Sequence, residues 1–177
     1  MSSFKKYIDN SSLRINSIFD IDLPFLLKYK IKGVVFDFDG VLNTDSTVSV
    51  DDAVRVYLND LSQNYPIALH SNAELPERKR KFQEDFPQIV WVDNPPKKPS
   101  PSALIQLSKK WNLPVESLLM IDDRLLTGGL SAYRARSQFA WVVTPKKNYF
   151  KRPVRELIFS LIRGLEVLCL RLGFIQY

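Results

Sequence analysis

The fold of this chain is decided by the stretch Lys32-Gly33-Val34-Val35-Phe36-Asp37-Phe38-Asp39-Gly40-Val41. Its first half is apolar without alternation, which is typical of a strand buried on both faces of a parallel sheet. Two carboxylates, Asp37 and Asp39, follow where this strand ends. The stretch therefore predicts a central strand with an acidic site beyond its carboxyl end.

The rest of the chain alternates short β-rich runs with longer helical patterns. Buried strands are predicted at 32–37, 67–70, 89–92, 118–121 and 139–143. Helices are predicted at 51–64, 74–86, 101–112, 130–136 and 153–172. This order predicts an α/β fold, a doubly wound (Rossmann-like) parallel five-stranded sheet with helices on both faces.

Length and composition indicate an ordinary globular protein. The chain has 177 residues, of which 45% are apolar and 25% charged, so we expect one domain over 1–177 and exclude a disordered or fibrous protein. The net charge of +6 favours an anionic partner. The single cysteine, Cys169, excludes an intramolecular disulfide and indicates a reducing compartment.

The distribution of charge argues against export and membrane insertion. Residues 1–23 lack the unbroken apolar run of a secretory signal. Charged residues interrupt the most apolar region, 153–172, so no segment is suited to span a bilayer. We expect a cytoplasmic protein.

Acidic pairs follow two of the predicted strands. Asp37 and Asp39 follow the first, and Asp122 and Asp123 follow the fourth. Like charges held close together repel, and a divalent cation relieves the repulsion. Mg²⁺ prefers oxygen ligands and often uses one or two carboxylates together with substrate phosphate. The sequence therefore predicts a Mg²⁺ site.

Two further predicted strands are followed by groups suited to phosphate. Ser71 and Asn72 follow the second strand and offer short hydrogen-bond donors, and Lys98, after the third, offers a positive charge. All three are predicted to contact the phosphate of a substrate. Alternatively, Ser71 and Asn72 form a simple turn and Lys98 is a surface cation.

These motifs, in this order, resemble those of the haloacid dehalogenase superfamily over residues 32–123. Phosphatases of that superfamily carry Asp-x-Asp-x-Val/Thr as their first motif, and Asp37-Phe38-Asp39-Gly40-Val41 matches every position. The resemblance implies that Asp37 is a nucleophile forming an aspartyl-phosphate and that Asp39 moves the proton. It implies metal ligands at Asp37, Asp39 and Asp123, with Asp122 as a further candidate.

The intervals between motifs are short. Residues 43–65 and 73–97 leave room for a helix and connections, but not for an inserted cap domain. We therefore expect a capless enzyme whose site is open to a bulky or membrane-embedded substrate.

A narrower resemblance is to the YqeG-type phosphatidylglycerophosphate phosphatases. It rests on Ile18-Phe19-Asp20-Ile21-Asp22, Ile31-Lys32-Gly33-Val34, Lys97-Lys98-Pro99 and Asp123-Arg124-Leu125-Leu126-Thr127. That group typically has Gly-Asp before Leu-Leu-Thr and an Asp after it. Here Asp122 replaces the Gly, and Gly128 replaces the second acid.

The carboxyl-terminal helix is predicted to be basic and amphipathic. From Pro145 onward the chain has seven positive and two negative residues, which gives a net charge of +5. Apolar residues recur at helical spacing through 154–172. Such a helix suits an anionic membrane surface, but it could equally dock on the sheet or form a dimer face. The sequence does not decide the oligomeric state.

Three functions are compatible with this sequence. The first is a Mg²⁺-dependent phosphatase of phosphatidylglycerophosphate, peripheral on the inner face of the cytoplasmic membrane, with no nucleic-acid partner. The second is a phosphatase of a soluble sugar or nucleotide phosphate. The third is a non-catalytic, membrane-associated binding module, suggested by Gly128 and the basic tail. The lone histidine, His70, is either a packed strand-end residue or a pH-sensitive group.

Overall fold

The computed structural model of the protein describes residues 3–44, 47–73, 75–93, 95–148, 150 and 153–172. Within these ranges six strands form one parallel sheet: β1 (Ser12–Ile15), β2 (Gly33–Phe36), β3 (Ile67–Leu69), β4 (Val90–Trp91), β5 (Leu118–Asp122) and β6 (Gln138–Val142). The same ranges contain seven α-helices: α1 (Ser3–Ser11), α2 (Leu23–Lys28), α3 (Asp52–Ser62), α4 (Pro76–Asp85), α5 (Ser102–Trp111), α6 (Leu130–Ala135) and α7 (Pro153–Leu172).

The sheet has the strand order β1-β6-β5-β2-β3-β4. From β2 the chain moves outward through β3 to β4, then crosses back to place β5 on the other side of β2. Strand order therefore reverses between β2 and β5, where open α/β sheets bind their ligands. In register, Phe36 of β2 pairs with Ile121 of β5, so Asp37 and Asp122 leave the sheet side by side.

Buried residues form a core on each face of the sheet. On one face, Val34 and Phe36 of β2 pack in a cluster with residues of α2, α3 and α4. On the other, Val35 packs with residues of α1, α5 and α6, and with Leu170 of α7. This confirms the predicted parallel sheet with helices on both faces.

The prediction of five strands was wrong by one. All five predicted strands are present, and β1 is the sixth, pairing with β6 at the edge of the sheet. Its four residues include the exposed Arg14 and lack the apolar run that marks the central strands. The pairing with β6 is a long-range contact, which local sequence does not reveal. Helices α1 and α2 were also not predicted.

The last helix of the described residues is α7, Pro153–Leu172. Among the described residues, no helix is sufficiently long and apolar to cross a bilayer.

Candidate active site

Three carboxylates meet at the reversal point between β2 and β5. Asp37, Asp122 and Asp123 each offer an oxygen within 4.8 Å of the others, and all three residues are buried. Asp37 is fixed at its backbone, where its N–H donates to the carbonyl of Ile121 over 2.9 Å. Three convergent oxygen donors fit a hard divalent cation such as Mg²⁺, so this cluster could hold one.

Lys98 lies inside this acidic cluster. Its Nζ is 2.8 Å from Oδ1 of Asp37 and 2.6 Å from Oδ2 of Asp122. The side chain is 2% exposed, so its charge is screened little by solvent. The ammonium of Lys98 therefore bridges Asp37, the candidate nucleophile after β2, and Asp122 at the end of β5.

The electrostatics of the cluster are dominated by burial. Burial raises the pKa of Asp37 to about 7; Lys98 opposes the rise, and the neighbouring Asp122 adds to it. Burial likewise raises the pKa of Asp123 well above its usual value, with a further contribution from Asp122. Burial disfavours the charge of Lys98, but Asp122 and Asp37 outweigh it, so the pKa of Lys98 is raised.

Asp39 lines the same cavity but is held separately. Arg78 of α4 donates to it through two nitrogens, at 3.0 Å to Oδ2 and 2.8 Å to Oδ1. The guanidinium also donates to the carbonyl of Thr47 over 2.7 Å and lies 4.0 Å from the ring centre of Phe38. Among the described residues, the close acidic group consists of Asp37, Asp122 and Asp123 without Asp39. The metal role predicted for the Asp39 carboxylate stays a prediction.

Ser71 and Asn72 lie beside the acidic cluster, in the cavity wall. The amide of Asn72 clamps the backbone of Lys98: its Nδ2 donates to the carbonyl over 2.9 Å, and its Oδ1 accepts from the N–H over 2.8 Å. Oγ of Ser71 accepts from the N–H of Ala73 over 3.2 Å. Asn72 therefore positions Lys98, and its phosphate contact stays a prediction.

Helix α7 contributes two side chains to the site. Nε of Arg163 donates to Oδ2 of Asp123 over 2.5 Å, Nη2 contacts the same oxygen, and Phe159 lies beside them in the cavity wall. One turn further on, the buried Glu166 accepts from Nε of Arg124 over 2.7 Å and from the N–H of Leu125 over 3.1 Å. The polar side of α7 thus docks over the acidic cluster.

Gly40 permits this close approach. Its φ of +80° lies in the left-handed region, where a side chain is disfavoured. A Cβ there would also lie 2.7 Å from Oδ2 of Asp123 and 3.2 Å from Nη2 of Arg163. A glycine is therefore required both by the turn and by the Asp123–Arg163 pair.

These side chains line a cavity of about 310 Å³. Every predicted site residue except Asp122 lies in its wall: Asp37, Asp39, Ser71, Asn72, Lys98 and Asp123. Asp122 lies directly behind, fully buried, against Lys98. The four strand ends proposed from sequence therefore converge on one space.

Two arginines of the site were missed by sequence reasoning. Arg78 lies in a run of charged residues in α4, where nothing distinguishes it from its solvated neighbours. Arg163 gave a weak signal, because it is a charge within an otherwise apolar segment of α7. Only contacts with residues about 40 positions away in the sequence identify both arginines as site residues.

His70 is packed at the end of β3. It is 1% exposed, and burial lowers the pKa of its imidazole to about 3. It is therefore neutral at physiological pH, which fits the packed alternative and not the pH-sensitive one. Its ring lines a second cavity of about 310 Å³ beyond Ser71 and Asn72.

The sequence matches no known family model and no curated protein significantly. Solved structures do match. An uncharacterized protein from Listeria monocytogenes serotype 4b superposes with a TM-score of 0.50 at 15% identity, over 63% of this chain and 78% of that chain. A subfamily IA hydrolase of the haloacid dehalogenase superfamily from Geobacter sulfurreducens has a TM-score of 0.49 at 16% identity, over 63% and 89%.

The cobalt-bound deoxy-D-mannose-octulosonate 8-phosphate phosphatase of Haemophilus influenzae has a TM-score of 0.46 at 24% identity, over 62% of this chain and 67% of that chain. The likeness to the Listeria monocytogenes protein, at a TM-score of 0.50, concerns the fold alone, and a fold does not by itself determine the chemistry of a site.

Proposed function

We propose that this protein is a metal-dependent phosphomonoesterase in which Asp37 is the nucleophile. The observation that carries the proposal is the convergence of Asp37, Lys98, Asp122 and Asp123 at the reversal point of the sheet. A carboxylate beside a buried lysine and further oxygen donors suits attack on an electron-rich phosphoryl group, because the surrounding charges stabilise the transferring oxygens.

The chain's own residues account for both halves of the reaction. An oxygen of Asp37 forms a bond to phosphorus as the bond to the leaving alcohol breaks, and Asp39 gives that alcohol its proton. Asp39 then takes a proton from water, whose oxygen attacks phosphorus and releases inorganic phosphate with Asp37 restored. Arg78 holds Asp39 in place for both steps.

Asp37, Asp122 and Asp123 would hold the divalent ion, for which we propose Mg²⁺. When bound, this ion would neutralise charge on the transferring phosphoryl oxygens. Lys98 supplies the fixed positive charge from the protein, and Ser71 offers a hydroxyl at the wall of the same cavity.

We further propose that the substrate is a lipid phosphate, phosphatidylglycerophosphate, at an anionic membrane surface. Support comes from the outer face of α7, which leaves seven apolar side chains exposed: Val154, Leu157, Ile158, Leu161, Leu165, Leu168 and Leu172. A contiguous apolar face of this kind on a soluble domain marks an interaction surface.

The occupant of that face is proposed to be an anionic bilayer because of charge. Residues from Pro145 onward carry a net charge of +5. Of these, Lys147 is exposed just before the helix, whereas Lys151 and Arg152, and the side chains of Arg155 and Arg171, lie outside the described residues. Phe159 and Arg163 of the same helix line the cavity, so α7 would link the site to the bilayer that its outer face contacts.

The deciding experiment measures phosphate release from vesicles that contain phosphatidylglycerophosphate, with Mg²⁺ and then with a chelator. Wild-type protein should release phosphate only with Mg²⁺. Asp37→Asn removes the nucleophile with little change in shape, so turnover should be lost while the circular dichroism spectrum is kept. Asp60→Asn, an exposed acid of α3, is the matched control and should be fully active.

Two outcomes would contradict parts of this proposal. Full activity of the Asp37→Asn variant would exclude Asp37 as the nucleophile. Much faster hydrolysis of a soluble sugar or nucleotide phosphate than of the lipid would keep the chemistry but replace the substrate.

A further inference from the structure

Arg163 of α7 occupies a position that the proposed function leaves unexplained. Its guanidinium directs both Nε and Nη2 at a single oxygen, Oδ2 of Asp123. Asp123 is one of the three acids that could hold a divalent ion. A fixed positive charge on a metal ligand opposes the binding of a second cation there.

The charges of the cluster also oppose simultaneous binding of Arg163 and a divalent ion at Asp123. The three carboxylates Asp37, Asp122 and Asp123 face two cations, Lys98 and Arg163. With all three carboxylates ionised, as a metal ion requires, and both cations in contact, the cluster has a net charge of −1, and a divalent ion would change it to +1. Departure of Arg163 from Asp123 would leave three carboxylates, Lys98 and the divalent ion in balance.

The guanidinium is also incompletely satisfied where it lies. Its Nη1 is buried, yet it has no hydrogen-bond partner among the described residues. A buried donor without an acceptor is unfavourable by about 1–3 kcal/mol. Arg163 lines the same cavity as Asp37, Lys98 and Ser71, so an anion in that cavity would lie within reach of this donor.

We propose that Arg163 exchanges between two partners, Asp123 and the phosphate of the substrate. With a divalent ion bound at Asp123, the guanidinium of Arg163 would leave that carboxylate and donate to phosphate oxygens in the cavity. Arg163 is thus a substrate-binding residue supplied by the carboxyl-terminal helix. Its charge weakens the binding of the divalent ion and strengthens the binding of phosphate. The inference rests on the proposed function of the site.

The proposal requires opposite effects of one substitution on two ligands. Arg163→Ala and the longer, neutral Arg163→Gln should bind Mg²⁺ more tightly than wild type, by about threefold or more, because a competing cation is gone. With Mg²⁺ saturating, both should bind inorganic phosphate more weakly, by about tenfold, because a charge-assisted hydrogen bond is lost. Arg163→Lys should fall between these variants and wild type.

Titration calorimetry on the full chain measures both affinities with Mg²⁺ alone and with inorganic phosphate. Arg80→Gln, which removes an exposed arginine of α4 paired with Glu84, controls for net charge and should change neither affinity. Circular dichroism establishes that each variant is folded, and Arg163→Gln preserves most of the packing of the long side chain if Arg163→Ala does not fold.

The opposed pair of shifts supports the exchange, and any other pattern overturns it. If Arg163 had only a structural role, its replacement would weaken the binding of both Mg²⁺ and phosphate, or of neither. If wild type binds both ligands but does not hydrolyse the lipid, the substrate assignment fails while the exchange is still decided by the variants. If wild type binds neither ligand, the proposed function and this inference both fall.

Discussion

At the scale of single residues, the pKa of Asp37 is strongly shifted by its surroundings. Burial raises the pKa of this acid from 3.8 to about 7, and Asp122 adds to the rise that Lys98 opposes. The folded protein therefore holds more protons at this site than the unfolded chain between those two pH values. Its contribution to the free energy of unfolding consequently decreases as the pH rises through that window.

Metal binding should follow the same titration. Since a divalent ion requires ionised ligands, Mg²⁺ affinity should increase as the pH rises from about 6 to about 8, with protons released on binding. Calorimetry in two buffers of different ionisation enthalpy measures the released protons directly. An affinity independent of pH, with no proton release, would show that Asp37 is already ionised in the protein without metal.

A side chain at position 128 would overlap the side chain of Asp122. A Cβ on Gly128 would lie 2.2 Å from Cβ of Asp122 and 2.4 Å from its Oδ2. An acid at 122 therefore requires glycine at 128.

Because the two positions share this space, a double substitution should restore the stability and Mg²⁺ binding that each single substitution loses. Gly128→Asp alone should destabilise the fold through the clash, and Asp122→Gly alone should weaken Mg²⁺ binding by about tenfold or more, which corresponds to about 1.4 kcal/mol. The double variant should recover most of both losses, because neighbouring substitutions are not additive. Thermal unfolding and calorimetry on all four proteins form the cycle, and strictly additive losses would exclude a shared position.

Between elements, the contact of α4 with the loop after β2 is made by Arg78 and Asp39. Arg78 is fully buried and makes a planar, two-nitrogen contact, which lysine cannot reproduce. The position of Asp39 over the cavity therefore depends on a helix that is distant in sequence.

Arg78→Lys should therefore affect both stability and turnover. Loss of the paired geometry should lower the free energy of unfolding by about 1–3 kcal/mol, and displacement of Asp39 should lower kcat by about ten- to a hundredfold. Denaturant unfolding and phosphate release measure the two. Arg55→Lys is the matched control, since Arg55 pairs with Asp85 outside the cavity wall; equal loss of kcat in both variants would remove the special role of Arg78.

Across the whole molecule, charge and the apolar face of α7 should act together. The net charge of +6 should attract anionic lipids, and salt limits the range of that attraction to about 10 Å at 0.1 M. Binding to anionic vesicles should therefore weaken as salt rises, and binding to neutral vesicles should be much weaker throughout.

A paired substitution separates the apolar contribution from the charge. Leu161→Ser with Leu165→Ser removes two exposed side chains without changing charge, and it should reduce vesicle binding in sedimentation at every salt concentration. The folded domain should be little affected because both residues face outward. Unchanged binding would show that α7 does not enter the lipid interface and would favour another occupant of its apolar face.

The sequence by itself determined the central sheet and the groups at its carboxyl edge. Uninterrupted apolar runs such as 33–36 and 118–121 identify buried parallel strands, and polar residues directly after them must lie at one edge. Asp37, Ser71 and Asp123 could therefore be predicted to share a cavity, because their positions follow from local periodicity.

Only the tertiary structure decided the partners of those groups. The sequence does not distinguish Arg78 from solvated charges and gives only a weak signal for Arg163; their partners are set when α4 and α7 pack. Strand β1 likewise exists only beside β6. The amphipathic pattern of α7 indicated an apolar face but not its direction. Because Arg163 and Glu166 find buried partners on the domain, the polar side turns inward and the apolar side faces outward.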